Sequence, residues 1–160
     1  MTEHNVMLEN FQVLFNQEKR FVLSKLGTPA VLFHTFVIYH KNNLWMVLFF
    51  KDVRDGDEFR SVLRAVSFYD NKLKLLWSNG IQLMPEMARV MAREYKTVDE
   101  VAAAYGEPHA ETGGGRSVYQ YLTDDGHIVF LEYENDKILH MSQRSLPELA
   151  ERFETIQTGH

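Results

Sequence analysis

The chain has 160 residues, 45% of them hydrophobic and 24% charged, and contains no cysteine. One domain with its own core is the expectation at this length, and the missing cysteines exclude disulfides, thiolate metal sites and cysteine nucleophiles together. Lysine plus arginine number 17 against 22 aspartate plus glutamate, a formal charge of -5, which argues against a nucleic-acid binder because such proteins concentrate basic charge on one surface.

Phe11, Leu14, Phe15, Val22 and Leu26 recur at helical spacing and predict a helix over 9–26, with Asn16 the place where it can break in two. Leu26-Gly27-Thr28-Pro29 stops it: glycine takes the left-handed turn that ends a helix, and proline two residues later blocks its resumption. Strands are predicted at 31–40, 44–53, 58–70 and 72–78, turned by Asn42-Asn43, Asp55-Gly56-Asp57 and Asp70-Asn71-Lys72. A second helix spans 83–95, where Leu83, Met87, Val90 and Met91 are periodic and Pro85 suits the first turn. Thr97-Val98-Asp99-Glu100 forms a capping box opening a short helix to Tyr105. A second helix stop, Gly106-Glu107-Pro108, comes next, then strands at 117–123, 127–134 and 137–143 with Asn135-Asp136 as a turn. The last helix starts at Ser145, with Glu148 three residues on, and faces inward through Leu149, Phe153 and Ile156.

Two Gly-x-Pro stops, each leading from a helix into a hairpin, favour a duplicated unit. The expected fold is α+β: two tandem helix-plus-antiparallel-sheet units, about 9–78 and 83–157, in one domain over 1–160. The first unit differs from the second in being apolar on both strand faces. Val37 and Tyr39 oppose Phe36 and Ile38; Leu48 and Phe50 oppose Trp45, Val47 and Phe49. Burying each such side chain is worth roughly 1.5–3 kcal/mol, so both faces need cover. The sequence leaves three candidates for it: the N-terminal helix, a second copy of the chain, or a foreign partner.

No constellation for catalysis emerges. His34 and His40 share a strand face about 20 Å apart at strand rise, too far for one metal. His127 and His140 lie on adjacent strands that could bring them together, but no three-ligand spacing accompanies them, and no metal or cofactor is expected. Gly113-Gly114-Gly115-Arg116 runs into a strand rather than a helix, so it reads as a connector or moulding loop tip and not as a phosphate loop. The carboxylates fall mostly at turns, and Gly-x-Ser-x-Gly is absent. Aromatics are the remaining signal, at 12%. Tyr119 and Tyr121 share one strand face, Trp45 and Phe49 another, and with Arg116 they have the composition of interface hot spots. Met84, Met87 and Met91 read as core gap-fillers.

The stretch Thr97-Val98-Asp99-Glu100-Val101, Tyr105-Gly106-Glu107-Pro108, Val118-Tyr119-Gln120-Tyr121, Asp125-Gly126 and 128–133 resembles the repeating unit of the beta-lactamase-inhibitor-protein-like family, which includes small outer-membrane assembly lipoproteins. The resemblance implies a non-enzymatic module that binds other proteins through a sheet face and its loops. The chain departs from the family in having no lipobox or disulfide cysteine, and its start, with Glu3, His4 and Glu9, does not read as an export signal. No apolar stretch approaches the roughly 20 residues of a spanning helix. The expectation is therefore a cytoplasmic module that binds another protein or a second copy of itself through Trp45, Phe49, Arg116, Tyr119 and Tyr121. The alternative is a small-ligand-binding or hydrolytic domain with an apolar pocket between sheet and helices, His34 and His127 being its first polar candidates.

Overall fold

The computed structural model describes residues 11–113 and 117–158, with side chains for all of these except 92 and 153–158, so Arg116 and the side chains of Phe153 and Ile156 lie outside the described part of the molecule. A helical turn at 11–14 leads to α1 (Lys19–Leu26). Between them Asn16 sits at φ 66, and the Asn16 N–H and Gln17 carbonyl pair with Leu63, which is why the helix breaks there. Five strands follow: β1 (Val31–Leu32), β2 (Phe36–Lys41), β3 (Leu44–Asp55), β4 (Glu58–Asp70) and β5 (Leu75–Asn79). After α2 (Glu86–Val90), a 3-10 turn at Ala92–Glu94 and α3 (Val98–Tyr105) come β6 (Ala110–Thr112), β7 (Ser117–Leu122), β8 (His127–Glu134), β9 (Lys137–Ser145) and α4 (Leu146–Thr158). The fold is α+β, with two antiparallel meanders, β1 to β5 and β6 to β9.

Local chemistry accounts for most boundaries. Gly27 and Gly106 end their helices in nearly the same conformation (φ 89 and 87), each donating its N–H to a carbonyl one turn back. The turns Asn42-Asn43 and Asn135-Asp136 hold both residues at positive φ, as two-residue hairpin turns require. Thr97 Oγ1 accepts from Glu100 N–H at 3.1 Å, and Ser145 and Glu148 cap each other reciprocally.

Three expectations need correction. Residues 31–40 are not one strand: Thr35 interrupts it, its carbonyl accepting from Phe50 N–H and its hydroxyl turned to Gln120. The helix read over 83–95 is confined to α2, because Met84 is held as extended chain by backbone bonds to Leu122 and Asp124. Its outer face is apolar, with Met87 71%, Val90 59% and Met91 45% exposed, so of the three methionines only Met84 fills core. Strand β6 was not expected and adds an edge to the second sheet.

Both faces of the first sheet are covered by the chain itself. On one side Val37, Tyr39, Met46, Leu48, Leu63 and Phe68 pack under Phe11, Leu14 and Val22. On the other, Phe36, Ile38, Trp45, Val47, Phe49 and Tyr69 meet Ala110, Leu122 and Ile128 of the second sheet and Leu146 and Leu149 of α4. Two buried hydrogen bonds cross this junction, Thr35 Oγ1 to Gln120 Oε1 (2.7 Å) and Tyr69 OH to the Thr123 carbonyl (2.6 Å). The second unit is thus the layer that the two-sided strands demanded, in place of an external partner. The far face of the second sheet closes on α2 and α3 through Tyr121, Val129 and Leu131 against Met84, Ala88, Val98 and Val101.

Candidate functional site

Two concavities meet at His34, one between the two units and one within the first. A cleft of about 630 Å³ opens where the segment from Glu107 through β6 faces the 34–35 loop and the middle of β3. A groove of about 650 Å³ runs on the other side of His34, between α1 and the start of β4. Lys19 fixes the wall between them by donating from Nζ to the carbonyls of Phe33 (2.5 Å) and His34 (3.0 Å). Burial lowers the Lys19 pKa, and the Asp52 charge opposes that shift. His34 Nε2 lies 3.3 Å from Asp52 Oδ2, an exposed pair on the rim.

In the cleft, His109 is 3% exposed and packs its ring 5.2 Å from that of Phe49. Its Nδ1 accepts from Leu122 N–H at 3.2 Å, so the neutral ring carries its proton on Nε2. Nε2 is buried and has no hydrogen-bond partner among the described residues. Burial pushes the ring's pKa down to about 4, and the nearby Ile81 backbone pulls it the other way. Asp52, Glu107 and Glu111 bring three carboxylates to the lining, against Lys51. Tyr119 forms one wall, its ring 4.8 Å from Tyr133, whose hydroxyl donates to Glu111.

The groove is different in kind. Leu32 and Phe59, 46% and 70% exposed, flank it with Leu23 and Phe33, and Lys19, Arg20 and Arg60 set basic groups among Glu18 and Glu58.

The five contact residues expected from the sequence do not share one surface. Trp45 is 6% exposed and stacks on His40, Phe49 is fully buried, and Tyr121 is buried with its hydroxyl on the Gly106 carbonyl. Those three are core because the second unit and α3 sit over the faces that carry them. Tyr119 alone reaches the cleft, and Arg116 lies outside the described residues. His127 lines neither concavity; it belongs to a hairpin network in which its N–H donates to Thr123 Oγ1 and its ring lies 3.5 Å from Asp125. The strand register sets His127 opposite Ser145 and His140 opposite Glu132, so the two histidines are not brought together. Among the described residues no group of three or more side chains is placed to hold a metal ion, and no helix is long and apolar enough to cross a membrane.

Sequence reasoning missed His109. Its one signal was position: it stands directly after the Gly106-x-Pro108 stop, where the chain must turn from α3 into a strand.

No family model matches the chain, and neither a curated protein nor a solved structure matches it.

Proposed function

We propose that the protein is a non-enzymatic protein-binding module, of the inhibitor, immunity or assembly type that its resemblance to the beta-lactamase-inhibitor-protein-like unit implies, acting in the cytoplasm. The observation that carries this reading is the groove beside α1: Leu32 and Phe59 hold large apolar surface in water next to Arg20 and Arg60. Exposed apolar anchors rimmed by arginine are the usual makings of a contact surface. The contact moves from the sheet face to the groove, because the aromatic strand faces are spent on internal packing. The partner is another protein, and a second copy of the chain is the self-associating version of the same reading.

A photo-crosslinking side chain at position 59 tests it, with one at exposed Leu139 as the control. The reading expects capture of one partner from native lysate at 59 and not at 139, lost in Leu32→Asp, whose affinity falls by more than about tenfold. Light scattering separates a second copy from a foreign partner. Equal capture from both positions, or capture indifferent to Leu32→Asp, overturns the reading.

A further inference from the structure

We propose that the edge of β4 over 58–61 pairs with the same edge of a second copy of the chain, antiparallel about Phe59, to make a two-fold dimer. This rests on the reading of the groove beside α1 as a contact surface, and names its occupant.

Strands β3 and β4 outrun their neighbours. The β2 pairing ends at Phe36 opposite Phe49 and the β5 pairing at Asn79 opposite Val66, so from Lys51 to Ser61 the two strands continue as a hairpin without a third strand. On the outer edge of β4, Glu18 bridges to Val62, while the Leu63 carbonyl accepts from Asn16 N–H and the Leu63 N–H donates to the Gln17 carbonyl. The chain then turns away into α1, and the strand position it vacates continues as the groove lined by Glu58, Phe59, Arg60 and Ser61. Backbone groups alternate in direction along a strand. Since those of Leu63 face outward, those of Ser61 and Phe59 face the groove, and no strand among the described residues pairs with them there. An open edge of this kind is a template for another strand.

The side chains select a second copy as that strand. With Phe59 opposite its own counterpart, Glu58 faces the partner's Arg60, and Arg60 faces the partner's Glu58. Two opposite-charge pairs then flank two aromatic rings, each now 70% exposed. The parity also fits: outward-facing Phe59 on both copies lets them exchange both backbone hydrogen bonds at the axis. Within its own hairpin Glu58 is set against Asp55, like charge against like, while Arg60 lies 3.5 Å from Asp55. The dimer gives Glu58 the cation that its own cross-strand neighbour denies it. Glu58-Phe59-Arg60 is thus complementary to itself reversed, as an isologous interface requires.

Sedimentation equilibrium of the full chain over a concentration series is the test, and a monomer–dimer equilibrium is expected. Glu58→Arg and Arg60→Glu, both at exposed positions, each set like charges opposite and should each weaken dimerisation about tenfold or more. Mixed one to one, the two variants regain both opposite-charge pairs, so a heterodimer should form with near-native affinity. The chain has no cysteine, so Phe59→Cys places one thiol per copy, about 5.5 Å apart between Cα atoms and within disulfide reach. Mild oxidation should link it into a covalent dimer far faster than Leu139→Cys. The proposal is overturned by a chain that stays monomeric, by charge variants that dimerise like the native chain, by a mixture that stays monomeric, or by equal linking at 59 and 139. A monomeric chain whose position 59 still captures a foreign protein sinks the dimer and leaves the groove reading standing; loss of that capture as well sinks both.

Discussion

Thr35 and Gln120, 85 positions apart in the chain, are joined by a 2.7 Å hydrogen bond sealed between the two sheets. Thr35 sits where the first strand of the sheet is interrupted, and its carbonyl is tied to Phe50, so the interruption aims a hydroxyl at the second unit. Thr35→Val keeps the shape but leaves the Gln120 carbonyl oxygen buried without its donor, at a cost of about 1–3 kcal/mol. Thr35→Val with Gln120→Met removes both polar groups and should recover most of that loss. Denaturant unfolding of the two singles and the double measures the coupling. An additive double variant would mean that the bond does not join the units.

Arg89 and Asp125 make the comparable link between α2 and the β7–β8 turn. The guanidinium grips both carboxylate oxygens, at 3.1 and 3.0 Å from Nε, with the two side chains 14% and 21% exposed. Burial pushes the Asp125 pKa up, but hydrogen bonds from Arg89 and Thr123 and the charges of His127 and Arg89 outweigh it and hold the carboxyl below its ordinary value. The depressed pKa means that this stabilisation is present above the ordinary carboxylate range and is lost as pH falls through the folded value. Arg89→Leu should therefore cost about 2–4 kcal/mol at neutral pH, because it strands a partly buried charge. Asp125→Asn in the same chain should return part of it. Thermal unfolding at neutral pH checks both.

Gly80 closes β5 at φ +107, and a Cβ there would lie 2.2 Å from the Arg64 carbonyl and 2.7 Å from the Ala65 Cα. Backbone on the neighbouring strand cannot yield as a side-chain tip does. Gly80→Ala is expected to cost about 3 kcal/mol or more, combining strained φ with a clash. Gly56 is the control: its φ is +67 but nothing lies within 4 Å of the added Cβ. Gly56→Ala should cost only about 1 kcal/mol, the left-handed penalty alone. Equal losses in denaturant unfolding would show that the approach of Gly80 to β4 is not tight.

The α+β class and most element positions were legible because they rest on local chemistry: Gly27, Gly106, the Asn42-Asn43 turn and the Thr97 and Ser145 caps act within a few residues. The two-sided character of β2 and β3 was legible too, as alternation of Phe36, Val37, Ile38 and Tyr39. What covers those faces was not, since periodicity says that Trp45 and Phe49 need a layer and cannot say whose. The same ambiguity made buried Trp45, Phe49 and Tyr121 resemble contact residues. His109 was illegible for a related reason. Its significance lies in Leu122 taking Nδ1 and no described residue taking Nε2, a relationship between distant segments that no spacing encodes.

The burial of His109 gives stability a pH dependence of known sign. The folded ring stays neutral down to about pH 4, whereas the unfolded ring titrates near 6.5. Above pH 6.5 neither state holds the proton and the residue contributes no slope. Between 6.5 and 4 the unfolded chain binds a proton that the fold refuses, so stability falls as pH falls, by about 3 kcal/mol across the window. His109→Phe should be less stable at neutral pH, because Leu122 N–H loses its acceptor, yet should lack this slope. Urea unfolding at half-unit intervals from about pH 7 to about pH 4, compared between the two chains, isolates it from the other titrating groups. Parallel curves would mean that the ring is protonated in the fold well above pH 4, and so meets either water or an acceptor at Nε2.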